Sequence, residues 1–141
     1  MLYEMMVQGA RANCTGAEVA ARAAAVAYID SFKTTDVASR LALFAPDAVF
    51  EDPIGSPPIR GHAALLEFWE KSSALDVSME LEHVAANVNT AAFLFTATLS
   101  MPGSPAVQIR VIEMLEVDEN GLITRLRANF DETSISELPA G

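Results

Sequence analysis

The stretch Val107-Gln108-Ile109-Arg110-Val111-Ile112-Glu113-Met114-Leu115-Glu116-Val117, with Asn120-Gly121 and Ile123 to Phe130 behind it, decides the fold. Val107, Ile109, Val111, Leu115 and Val117 share one phase of a period of two, while Gln108, Arg110 and Glu116 fall in the other. A strand sends alternate side chains to opposite faces, so this segment is predicted as a half-buried β-strand. Glu113 stands in the apolar set. An unpaired carboxylate buried there costs on the order of several kcal/mol, so it must find a partner or keep its proton. A neutral carboxyl can donate a hydrogen bond, which an ionised one cannot.

Asn-Gly between two such runs is the strongest short signal for a hairpin. With Asn120 and Gly121 as the loop, Glu119 faces Leu122, and counting back puts Glu113 opposite Ala128. Phe130 then lies on the same face, opposite Val111. Glu113 is expected between a small neighbour and an aromatic one, with space beside it. Arg110, Arg125 and Arg127 lie in the opposite phase and are poor candidates to pair with it.

Upstream, Thr90 to Met101 is apolar on both faces and reads as a central strand. Leu75, Val77, Met79 and Leu81 alternate with Ser78, Glu80 and Glu82 as a further strand. The first half is helical. Thr15-Gly16-Ala17-Glu18 has the form of a capping box for a helix to about Lys33. Ala21, Ala24, Tyr28 and Phe32 line one face of it. Thr34-Thr35-Asp36 opens a short second helix to about Phe44. Ala48 to Asp52 is a short strand stopped by Pro53, with Asp52 fixed in extended geometry before the proline. A third helix begins near Gly61 and carries Leu65, Leu66, Phe68 and Trp69. Helices first and a curved antiparallel sheet after make an α+β architecture.

Composition narrows the function. The 141 residues suit a single domain over 16–141, with residues 1–15 as a short, weakly ordered leader. Glu4 and the lack of a basic region keep Met1 to Val7 from reading as a secretory signal. No apolar run approaches the roughly 20 residues of a membrane span. A formal charge of −10 disfavours nucleic acid and anionic membranes. Cys14 is the one cysteine, which excludes an internal disulfide and suits a cytoplasmic setting. His62 and His83 form no metal-ligand cluster, and no phosphate loop or GxSxG elbow occurs.

Several segments together resemble a known family. Tyr28-Ile29-Asp30, Leu41 through Ala48, and Glu51-Asp52-Pro53-Ile54-Gly55-Ser56 are similar to the steroid Δ-isomerases, the ketosteroid isomerases of the nuclear transport factor 2-like superfamily. The likeness continues through Gly61-His62-Ala63-Ala64, Glu67-Phe68-Trp69, Ala91 to Thr96, and Arg127-Ala128-Asn129-Phe130. It implies a cone of curved sheet and helices around an apolar cavity, and a homodimer joined through the sheets, with Arg125 and Arg127 near the interface. It implies that Asp52 is the catalytic base and Tyr28 an oxyanion donor. Glu113 takes the place of a second donor, where the family usually has aspartate, and Trp69 stands where the family often has tyrosine. The neutral-donor role of Glu113 belongs to the resemblance. The strand pattern supplies only its burial.

The implied reaction moves a C=C bond of a 3-oxo-Δ5-steroid into conjugation through a dienolate, with no metal or organic cofactor. Phe68, Trp69, Phe93, Phe95, Met114 and Phe130 are the expected lining for a flat hydrophobic substrate. Two rivals share the scaffold, since fold alone does not give activity. A polyketide cyclase needs an Asp/His pairing in the cavity, and an epoxide hydrolase needs an Asp–Arg–Asp relay. A non-catalytic module that binds an apolar ligand has no need to gather Tyr28, Asp52 and Glu113.

Overall fold

Alternating segments in the second half of the chain build the sheet, in a computed structural model that describes residues 1–139. β3 (Asp76–Asn87), β4 (Thr90–Ser100), β5 (Val107–Val117) and β6 (Ile123–Asn129) pair in turn as antiparallel neighbours. β1 (Phe44–Glu51) lies beside β6, β2 (Ile59–Arg60) edges β1, and β7 (Ile135–Glu137) pairs with β5. The sheet is curled and unclosed. α2 (Ala17–Asp30) packs against β3, β4 and β5, and α4 (Gly61–Lys71) covers β1. Ala21, Ala24 and Tyr28 are buried on one face of α2, as their spacing predicts. His62 ties the start of α4 to β1 through Nε2, 2.9 Å from the Phe44 carbonyl oxygen.

The structure departs from expectation in four places. The β1–β6 pair is parallel, because the chain leaves β1 through α4 for the far side of the sheet before β6 returns beside it. β1 starts at Phe44, so the second helix, α3, is only Val37–Leu41. Pro46 is tolerated because it falls where the β1–β6 register shifts, between Phe44 and Val49, and a ladder N–H is not needed there. Gly16, at φ +109°, is the N-cap of α2; Glu18 supplies its half of the box by accepting from the Gly16 N–H at 2.7 Å, but Thr15 supplies no cap. Residues 1–15 are not a loose leader throughout: α1 spans Leu2–Arg11, with no residue buried.

The hairpin reaches the expected register by another route. Its loop is longer than Asn120-Gly121: Asp118 N–H donates to Leu122 O at 2.9 Å, and Val117 pairs with Ile123. A register shift between Glu116 and Val117 then absorbs one residue and restores Glu113 opposite Ala128.

Candidate active site

Three short structural devices bring the expected groups to one cavity of about 740 Å³. Tyr28 comes from the buried face of α2, Asp52 from the residue after β1, and Glu113 from the middle of β5. The Ile54 N–H donates to the Ala128 carbonyl at 2.8 Å, which ties the loop after Asp52 to the strand position opposite Glu113. Phe32 and Phe44 hold the Tyr28 ring edge-on, with centroids 5.2 and 5.9 Å away.

Glu113 is 4% exposed, and its Oε2 is buried without a hydrogen-bond partner among the described residues. Burial, and then the charge of Asp52, push its carboxyl well above the usual carboxylate range. Burial also raises Asp52. Tyr28 is pushed well up by burial, with the negative charges of Glu113 and Asp52 adding to the effect and Arg40 opposing it. The arrangement therefore offers two neutral O–H donors, Tyr28 and Glu113, and a less displaced carboxyl able to work as a base.

Phe68, Trp69, Phe95 and Phe130 line the cavity as expected. Two expected lining residues do not. Phe93 is buried in the core beside Phe95, with ring centroids 5.9 Å apart, so it backs the wall without forming it. Met114 is 51% exposed, because the alternation that buries Glu113 turns its neighbour to the outer face. Trp69 packs on Phe44 at 5.4 Å between centroids, and its indole makes no hydrogen bond to Tyr28 among the described residues. Glu51 is half-buried on the outer side with Arg125 and Arg127, each 3.4 Å away.

Sequence reasoning missed Arg40. It is 6% exposed and lines the same cavity. A signal was present: Val37, Leu41 and Phe44 recur at helical spacing, and Arg40 falls on that apolar face. Its Nε donates to Ser31 Oγ at 3.0 Å, and its guanidinium lies 3.6 Å over the Phe32 ring. Neither rival relay is assembled among the described residues. His83 is exposed, Arg110 pairs with Glu82 at 3.0 Å on the surface, and Arg40 forms no ion pair with Asp52.

A half-cone of sheet closed by helices over an apolar pocket, with a tyrosine and two carboxyls inside, defines the class. A SnoaL-like domain matches residues 25–126, and the chain belongs to that family. The steroid Δ-isomerase of Nocardioides simplex is 37% identical over 119 residues, covering 84% of this chain and 96% of that one. The solved structure of a Δ5-3-ketosteroid isomerase from a Mycobacterium species superposes with a TM-score of 0.76 at 25% identity, covering 84% of this chain and 98% of that one. The epoxide hydrolase LasB of Streptomyces lasalocidi is 33% identical over 127 residues, covering 85% of this chain, which spans only 44% of LasB.

Proposed function

We propose that the protein is a steroid Δ-isomerase, an enzyme that moves the C=C bond of a 3-oxo-Δ5-steroid into conjugation. The observation that carries this reading is that Tyr28, Asp52 and Glu113 line one apolar cavity, and the identity to a steroid Δ-isomerase supports it. Ionised Asp52 takes a proton from the carbon between the carbonyl and the alkene. The electron pair of that C–H bond delocalises onto the carbonyl oxygen as a dienolate. Asp52 then returns the proton at the far end, so substrate and product have the same atoms. The cost lies in the charge on oxygen, which the Tyr28 hydroxyl and the protonated Glu113 carboxyl meet with two preorganised hydrogen bonds. Exclusion of water makes those bonds stronger than they are in solution.

The test follows the ultraviolet absorbance of the conjugated enone formed from a Δ5-3-ketosteroid. Wild-type protein turns over, and Asp52→Asn loses about 100- to 10,000-fold, the usual worth of a positioned general base. Because burial raises Asp52, kcat/KM falls on the acid side through a pKa above the ordinary aspartate value of about 3.9. A folded wild-type protein with no turnover sinks the reading.

We also propose a homodimer formed through the outer face of β4 and β5, in a cytoplasmic setting. Ile112 at 58% and Met114 at 51% exposure leave an apolar patch there, and the lone, exposed Cys14 suits a reducing compartment.

A further inference from the structure

We propose, building on the isomerase reading, that Arg40 forms a carboxylate-binding subsite in the cavity, so that the substrate is an acidic ketone and not a wholly neutral one. Arg40 and Glu113 are the two charged residue types in the buried core among the described residues. Keeping its proton relieves Glu113, but an arginine has no such escape. Its guanidinium carries five N–H groups. Nε uses one on Ser31 Oγ at 3.0 Å, and Nη2 uses one on the Ser31 carbonyl at 3.3 Å. The remaining donors meet no acceptor among the described residues, and no carboxylate comes within 4.0 Å.

Two aromatic rings offset part of the charge: Phe32, 3.6 Å below the guanidinium, and Trp69, at 5.1 Å. They lie against the face of the guanidinium and leave its remaining N–H groups, at the edge, without an oxygen acceptor among the described residues. A buried cation without a paired anion does not stabilise the fold, because no partner charge repays its desolvation. What the site lacks is an anion. A carboxylate fits the planar fork with two parallel hydrogen bonds and cancels the charge, whereas a carbonyl leaves the charge uncompensated. The chain's overall charge of −10 does not oppose this strongly, because exposed charges are screened beyond about 8–10 Å at physiological salt.

The subsite lies along the same wall as the reacting centre. The Phe32 ring under Arg40 is itself 5.2 Å from the Tyr28 ring. One ligand can therefore meet Tyr28 through a carbonyl and Arg40 through a carboxylate, within a cavity of about 740 Å³.

The test is equilibrium binding by titration calorimetry at pH 7.5, with 2-naphthoate and its neutral counterpart 2-naphthamide. Wild type is expected to bind the acid at least tenfold more tightly than the amide. Arg40→Met is expected to lose that preference while its affinity for the amide stays within twofold, and Arg40→Lys to keep part of it. Circular dichroism confirms that each variant is folded; should Arg40→Met not fold, Arg40→Gln takes its place. No preference in wild type, a preference surviving in Arg40→Met, or equal loss of both ligands would each overturn the subsite. The measurement needs no turnover: an acid preference in a protein that fails to isomerise counts against the isomerase reading alone.

Discussion

If Glu113 takes the place of the family's aspartate, as the resemblance implies, its work depends on where an arm longer by one methylene puts its proton. Opposite Ala128, which is fully buried and contributes only a methyl group, that arm has room. If the carboxyl acts as a neutral donor, Glu113→Gln keeps an N–H donor and loses less activity than Glu113→Ala, for which a loss of about 100- to 1,000-fold is expected. Equal losses in kcat would argue against donation. Stability gives an independent reading. Burial holds the folded pKa of Glu113 above its unfolded value, so its contribution is fully present below about pH 4.3 and is lost as pH rises through the folded pKa. Glu113→Gln should therefore melt close to wild type near pH 4 and increasingly above it toward pH 8. A melting-temperature difference that runs the other way means that Glu113 is ionised and paired.

At the level of elements, the β5–β6 hairpin and the loop after β1 act as one unit. Ala128 is the joint, since its side chain faces Glu113 and its carbonyl accepts from Ile54 beyond Asp52. Ala128→Val adds two methyl groups at a site with no exposure, a change that costs about 1–3 kcal/mol by overpacking. Its melting temperature should drop by several degrees, with kcat falling as the Glu113 carboxyl is displaced; a variant with wild-type stability and activity would show the joint to be slack. This pairing was legible from Asn120-Gly121 and the alternation of β5, although the loop proved longer. Two errors of register cancelled, because the turn closes on Asp118 and a bulge takes up the extra residue. The parallel partner of β1 was not legible, because local periodicity carries no information about which strand lies beside which. Arg40 was legible and overlooked: it breaks an apolar helical face as Glu113 breaks an apolar strand face, but α3 is five residues long and its pattern correspondingly brief.

Across the whole molecule, the two faces of β5 divide the work. The inner face carries Val111, Glu113 and Leu115 to the cavity and core, and the outer face presents Ile112 and Met114 to solvent. The outer pair extends across the sheet to Leu94 and Ala92 on β4 and to Asn129 and Arg127 on β6. Ion pairs border it, Arg110 with Glu82 and Arg125 and Arg127 with Glu51, in the manner of a polar rim around an apolar centre. Such a patch suits a self-complementary contact between two copies related by a two-fold axis. On that axis Ile112→Glu brings like charges together in a desolvated centre, a repulsion without a partner to relieve it. Sedimentation velocity should show a dimer for wild type and a monomer for Ile112→Glu. Because Ile112 points away from the cavity, the monomer should keep most of its turnover per protomer. A wild-type monomer would overturn the dimer, and a dimer indifferent to the new charge would place the interface elsewhere. A monomer that lost all activity while folded would mean that pairing of the sheets shapes the cavity on their other side.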